Sequence, residues 1–268
     1  MKIIGEKING TRKRVARAIA ERDAEYIADL ARRQTEAGAD WLDVNAGTHP
    51  SQEADDLSWL IDTIQAAVDT PLCLDSANPA ALRAVITKVN KTPMINSISG
   101  EPERLQGILP IAAEYGCPVI ALAMDDKKIP ETSEKRMEVI RSVVAEARAC
   151  GVSESNLYID PLAMTLSTNS KSALVALETM RGVRAEFPEA HLTIGLSNIS
   201  FGLPARSFIN RYFLSLAMAY GLDSAILDPL DRDIQAAIRT TELLLGQDNH
   251  CLNFIRASRK GLFDPPAA

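Results

Sequence analysis

Residues 41–76 read WLDVNAGTHPSQEADDLSWLIDTIQAAVDTPLCLDS and hold one complete structural repeat. Trp41–Val44 and Leu72–Leu74 are short, nearly continuous apolar runs, which is how parallel strands read when both faces of a sheet are covered. Between them Leu57, Leu60, Ile61, Ile64 and Val68 recur at helical spacing. Each run also ends in hydrogen-bonding residues: Asp43 and Asn45 after the first, Asp75 and Ser76 after the second.

The same unit recurs along the chain. Further apolar runs lie at Ile3–Ile4, Met94–Ile98, Val119–Met124, Leu157–Ile159, Leu192–Leu196 and Ala225–Leu227. Helical patterns separate them, among them Arg136 to Ala149, Phe208 to Tyr220 and Ile234 to Leu245. Gly38, Gly116, Gly151 and Gly221 each sit a few residues before a strand, where a helix should stop. Eight such units in about 250 residues predict an α/β fold, a single-domain (β/α)8 TIM barrel over 1–262. Residues 263–268 read as a flexible C-terminal tail. A doubly wound sheet is the rival, because periodicity does not show whether the sheet closes.

The composition narrows the function classes. The 268 residues carry a net charge of −6, which argues against a large nucleic-acid footprint. The four cysteines, Cys73, Cys117, Cys150 and Cys251, form no CxxC pair and read as reduced thiols in a cytoplasmic protein. The N-terminal MKIIGEKING has too short an apolar run for a signal peptide, and no stretch approaches the ~18 apolar residues of a membrane span. His49, His191 and His250 make no HxH or HExxH pattern, so no bound metal is expected. GxGxxG and Walker motifs are absent too.

Polar residues cluster where the strands end. Glu6 and Asn9, Asp43 and Asn45, Asp75, Asn96, Asp160, Ser197 and Asn198, and Asp228 come from seven separate runs. In a barrel these ends converge on one rim, where the active site is built. A single Asp or Asn after a strand is more often a helix N-cap, and Ser76, Ser99 and Asp125 are read that way. Asp75, Asn96 and Asp160 fall inside the strand ends instead, where a carboxylate is costly to bury unless it is hydrogen-bonded. Carboxylates and amides with few cations suit a flat heterocycle bearing N–H and carbonyl edges, such as a pterin. Met94, Met124 and Met164 read as core filler, and Phe201 either stacks on a ring or packs under a loop.

The runs GEKING (5–10), LDVNAG (42–47), LCLDS (72–76), MINSISGE (94–101), YIDPL (158–162) and GLSNISFGLP (195–204) resemble the pterin-binding methyltransferases. These include the methyltetrahydrofolate:corrinoid/iron–sulfur protein methyltransferase and the folate domain of cobalamin-dependent methionine synthase. The resemblance implies methyl transfer between N5 of (methyl)tetrahydrofolate and the cobalt of a corrinoid (cobalamin). A separate corrinoid protein would carry that cobalt and dock at the barrel mouth. It implies that Asp75, Asn96 and Asp160 hold the pterin, that Asn198 hydrogen-bonds N5, and that Arg206 lies near the substrate. Asp43 joins the pterin-binding candidates, and Asn198 and Asp160 are the catalytic ones. Phe201 stands where the corrinoid/iron–sulfur enzyme has a polar residue and matches the methionine-synthase pattern. The family commonly forms homodimers. The direction of transfer and the proton donor at N5 stay open.

Two rivals remain at this point. A dihydropteroate synthase shares the barrel but needs a basic cluster at the end of strand eight, where this chain has Asp228-Pro229. A non-catalytic folate-binding protein would bind the pterin and transfer nothing.

Overall fold

The computed structural model describes residues 1–126 and 129–264. Among them, eight parallel strands alternate with helices along the chain. The strands are β1 (Lys2–Asn9), β2 (Trp41–Asn45), β3 (Leu72–Asp75), β4 (Met94–Ile98), β5 (Val119–Leu122), β6 (Leu157–Asp160), β7 (His191–Leu192) and β8 (Ser224–Leu227). Helices α1 (Lys13–Glu21) and α2 (Ala24–Glu36) follow β1, α3 (Pro50–Ala67) follows β2, and α4 (Pro79–Val85) follows β3. Then come α5 (Pro102–Tyr115), α6 (Ser133–Ala149), α7 (Ser172–Glu186), α8 (Arg206–Ala219), α9 (Arg232–Leu244) and α10 (Leu252–Arg259).

Neighbouring strands pair in the order β7-β6-β5-β4-β3-β2-β1-β8. The remaining seam, β7 to β8, closes just beyond the two-residue β7. Ile226 N donates to Ile194 O at 2.9 Å, and Gly195 bridges Ile226 in parallel. Ser224 Oγ adds a bond to Leu192 O at 3.0 Å. The sheet is therefore a barrel, and the doubly wound rival is set aside.

Strand alternation sorts the side chains into two layers. Leu42, Val44, Leu72, Leu74, Ile95, Val119, Ile159 and Leu192 face outward into the large core shared with the helices. Ile4, Cys73, Met94, Ile120 and Tyr158 face inward and form a separate cluster, joined by Trp41, Leu122 and Ile226. Tyr158 stacks on His191 with ring centroids 4.5 Å apart and meets Trp41 edge-on at 6.0 Å. The lower barrel is thus an apolar plug. One inward position higher stand Asp43, Asp75, Asn96 and Asp160, so the plug is the floor beneath a polar mouth.

Helix starts follow local chemistry. Pro50, Pro79 and Pro102 occupy first-turn positions, where proline's missing N–H is not needed. Asn78, Thr132 and Asp231 cap α4, α6 and α9 through their side chains. This corrects three expected caps. Ser76 donates to Glu53 Oε1 at 2.5 Å and leaves capping to Asn78. Ser99 lies two residues ahead of Glu101, which starts α5 without a side-chain cap, and α6 is capped by Thr132 rather than Asp125. Gly38, Gly116, Gly151 and Gly221 all take positive φ at helix ends. The stem of the expected tail is packed: Phe263 stacks on Phe254 at 4.5 Å. Residues 265–268 of that tail lie outside the described residues.

Candidate active site

The mouth is built from two hydrogen-bonded groups. The first spans β2, β3 and β4. Asn45 Nδ2 donates to Asp75 Oδ2 at 2.9 Å, and Asn96 Nδ2 donates to Asp43 Oδ1 at 3.2 Å. Asp75 and Asn96 are register partners on adjacent strands, so the four side chains form one patch. Among the described residues Asn45 Oδ1 is buried without a hydrogen-bond partner, an acceptor open to an incoming donor. Asn45 was visible in the sequence as a strand-end residue, but nothing there separated it from its neighbours.

Packing of the first two strand-end loops explains the glycines in GEKING and LDVNAG. Gly10 N donates to Asn45 O at 2.8 Å, and a Cβ on Gly10 would lie 1.8 Å from Ala46 O. A side chain there would force the loops after β1 and β2 apart, and with them the Asn45–Asp75 pair.

The second group lies around β6 and the β7 loop. Asp160 Oδ1 accepts from Leu162 N at 2.7 Å, and the carboxyl also accepts from the Gly195 backbone. Asn198 sits in the short helical turn Leu196–Ser200 that follows. Its amide folds back over Gly195: a Cβ there would come 2.9 Å from Asn198 Nδ2. Gly195 thereby holds Asp160 by its N–H and leaves room for Asn198 above its Cα. Among the described residues the Asn198 side chain forms no hydrogen bond, and it is exposed.

Between the two groups β5 contributes Leu122, an apolar inward residue beside Asp160. β1 contributes Glu6, which pairs with Arg12 at 2.8 Å and accepts from Ser197 Oγ at 3.4 Å. At the strand-eight end Asp228 is paired with Lys7 at 2.6 Å.

Electrostatics follow from burial. Asp43 is held well above the ordinary carboxylate range by desolvation and by the negative charge of Asp75; the amide of Asn96 works against this. Asp75 is raised chiefly by burial, with Asn45 opposing. Asp160 is pushed up to about 6 by burial, against the pull of two backbone N–H groups and Arg136. Glu6 is raised by burial, with the Arg12 guanidinium opposing. Asp43, Asp75 and Asp160 are held by amide and backbone N–H donors and form no ion pair among the described residues, so this part of the mouth presents acceptors toward a ligand edge rich in N–H groups.

The structure therefore brings Asp43, Asp75 and Asn96 into one patch and Asp160 and Asn198 into another at the same end of the barrel. The other two site candidates stand at the rim. Phe201 is 66% exposed. Arg206 donates to Ser197 O at 2.7 Å and Ser200 Oγ at 3.0 Å, with its guanidinium 5.9 Å from the Phe201 ring centroid. It braces the loop that carries Asn198. Sequence reading missed Arg136 and Gly195. Gly195 was quoted within a motif without a role, and Arg136 appeared only as the first residue of a helix. Among the described residues no group of three or more His, Cys, Asp or Glu could hold a metal ion, and no helix is long and apolar enough to cross a membrane.

Comparison with known proteins gives three findings. A family model described as "Pterin binding enzyme" matches residues 5–228. The methylcorrinoid:tetrahydrofolate methyltransferase of Eubacterium limosum is 43% identical over 270 residues, covering 100% of both chains. The methionine synthase of Mycobacterium tuberculosis is 30% identical over 238 residues, covering 84% of this chain and 20% of that protein. Solved structures share the fold. A Yersinia pestis DHPS with a pterine-sulfa conjugate aligns with TM-score 0.69 at 17% identity, covering 92% of this chain and 93% of that one. The dihydropteroate synthase of Xanthomonas albilineans with 7,8-dihydropteroate gives 0.68 at 18%, covering 91% and 93%.

Proposed function

The chain belongs to the pterin-binding enzyme family, and on that premise we propose that it transfers a methyl group between a corrinoid protein and N5 of tetrahydrofolate. The observation that carries the reading is the polar mouth, in which Asp43, Asp75, Asn96 and Asp160 stand above an apolar floor. The relative matched from end to end is named for transfer from methylcorrinoid to tetrahydrofolate, and we infer the same direction here.

A reduced pterin is flat, with amino and ring N–H donors along its edge and one carbonyl. The carboxylates of Asp75 and Asp160 accept from those donors, and Asn96 can serve either kind of partner. Asp43 holds the Asn96 amide in place. Asn45 Oδ1, buried and unpaired, offers one more acceptor beside Asp75.

In this direction the N5 lone pair attacks the methyl carbon as the carbon–cobalt bond breaks. The bonding electrons stay on the cobalt, which leaves as Co(I), and the proton on N5 is released. Positive charge grows on N5 during the attack. Asn198 cannot take a proton at neutral pH, but its amide oxygen can stabilise that charge. With no internal hydrogen bond holding it, the amide can present either end. Water at the open mouth carries the released proton away.

The corrinoid protein docks over the mouth, because the methyl group must reach N5 in line. The exposed ring of Phe201 stands at that rim. We also propose a homodimer through the outer faces of α8 and α9, where Tyr212, Leu216 and Leu244 are exposed around Ala219, Ala236 and Ala237. A cytoplasmic location agrees with four free cysteines.

The test mixes the protein, tetrahydrofolate and a methylated corrinoid protein and follows the cobalt absorption. Conversion of methyl-Co(III) to Co(I), dependent on this chain, is expected. Folate binding with an unchanged cobalt spectrum would make the chain a carrier and not an enzyme.

A further inference from the structure

Arg136, in the first turn of α6, is 2% exposed, a low figure for a guanidinium. Its donors go to backbone carbonyls: Nε to Pro130 O at 3.0 Å, Nη1 to Pro161 O at 2.5 Å and to Leu162 O at 2.7 Å. Among the described residues no carboxylate comes within ion-pairing distance. A buried cation without a direct counter-ion is costly, so its retention needs a reason.

The partners of Arg136 point to that reason. Pro161 and Leu162 follow Asp160 directly, and Leu162 N is a donor that fixes the Asp160 carboxyl. Leu162 has φ of 66°, a conformation unfavourable for a branched side chain, and both carbonyls that flank its N–H are drawn toward Arg136. The same cation acts on Asp160 through space.

We propose that Arg136 is a positioning residue that shapes the Pro161–Leu162 turn and keeps the Asp160 carboxyl oriented and ionised for the pterin edge. This rests on the reading of Asp160 as a pterin ligand given above. The backbone N–H groups of Leu162 and Gly195 favour the ionised carboxyl more strongly than Arg136 does, and Arg136 adds the one cationic contribution while holding the turn that carries the Leu162 donor. β5 presents Leu122 and the β7 segment presents Thr193 and Gly195, none of which titrates. Asp43 and Asp75 come from β2 and β3 across the mouth, and the His191–Asp223 pair lies at the floor. Burial drives Asp160 toward its neutral form, and Arg136 is the cation that opposes it.

The experiment titrates tetrahydrofolate by fluorescence from pH 5 to 9 with the parent protein, Arg136→Gln and Arg136→Lys. Parent affinity should rise through a midpoint near 6, where Asp160 ionises. Arg136→Gln should move that midpoint upward, because the cation opposing burial is lost and the Leu162 turn that supplies a donor is loosened. Arg136→Lys should restore the midpoint while binding more weakly at every pH, since an ammonium keeps the charge but not the fork. Uniform weakening in Arg136→Gln with an unmoved midpoint overturns the proposal.

A stability comparison needs no folate. Asp160→Asn should stabilise the Arg136→Gln background more than the parent, because the unopposed carboxylate is removed. If Arg136→Gln fails to fold, the Arg136→Gln/Asp160→Asn double variant should fold. A double variant that is equally unfolded overturns the link. A parent protein that binds no tetrahydrofolate sinks the methyl-transfer reading, while the stability comparison still decides the Arg136–Asp160 link.

Discussion

Replacing Asp160 by Asn should make the protein more stable and less able to bind its ligand. Asp160 is buried, and its pKa stands at about 6 against an ordinary 3.8. Below pH 4 the carboxyl is protonated in both the folded and unfolded chains, and burial carries no ionisation penalty. Between about pH 4 and 6 the unfolded chain releases the proton while the folded chain retains it, so stability falls as pH rises. Above pH 6 the full penalty applies: roughly two units at ~1.36 kcal/mol each, or about 3 kcal/mol. Asn is neutral throughout, and its Oδ1 can still accept from Leu162 N. The gap between Asp160→Asn and the parent should therefore grow from near zero at pH 4 to about 3 kcal/mol at pH 8, or about 5–10 °C in Tm. Tetrahydrofolate affinity at pH 8 should drop by about tenfold to a hundredfold, the scale of losing a hydrogen bond to a charged group. Urea unfolding at pH 4, 6 and 8 checks the first part and fluorescence titration the second. A stability gap that does not change with pH, or a variant less stable than the parent at pH 8, refutes the reasoning.

Other outcomes follow from the same geometry. Gly195→Ala keeps an ordinary φ but drives its methyl into the Asn198 amide, so turnover should fall about tenfold or more with little change in Tm, measured by stopped-flow cobalt absorption. Asn198→Ala should reduce methyl transfer about 10- to 1000-fold while tetrahydrofolate still binds; unchanged turnover would remove Asn198 from the mechanism. Asp75→Ala removes the shorter of the two acceptors of Asn45 Nδ2 and leaves the pterin edge without a carboxylate, so folate affinity should weaken, and an unaltered titration would cancel that role. Leu216→Arg places a charge on the exposed α8 face and should convert a dimer to a monomer in analytical ultracentrifugation, with transfer by each mouth intact.

Much of the barrel was legible because buried parallel strands leave compact apolar runs. All eight runs coincide with strands or their direct extensions. The limits of legibility are physical. β1 extends to Asn9 through charged residues, since its edge is held by pairing with β2 and not by apolar side chains. The run Leu192–Leu196 overlaps the two-residue β7 only at Leu192, because the chain turns into a helical coil at Leu196 once the seam with β8 is closed. Closure itself depends on contacts between residues such as Ile194 and Ile226, far apart in sequence and without a local signature.

The site divides along the same line. Carboxylates and amides placed inside strand ends marked Asp75, Asn96 and Asp160 as more than caps, and all three belong to the mouth. What the sequence concealed are effects of packing. The expected caps at Ser76 and Asp125 failed because Asn78 and Thr132 sit closer to the first free N–H groups of α4 and α6, and the one at Ser99 failed because α5 starts from Glu101 without a side-chain cap. Nothing about an arginine at the start of an amphipathic helix announces that its guanidinium turns inward beneath a strand end. Nor does a glycine before LSN declare that an amide will lie across it.

The most direct measurement is a crystal structure of the protein with tetrahydrofolate bound. The bicyclic ring should lie above the Tyr158 and Ile120 layer, with Asp75, Asn96 and Asp160 within hydrogen-bond distance of its edge and Asn198 beside N5. A ring found elsewhere on the barrel, or one in the mouth with these side chains turned away, would contradict the account.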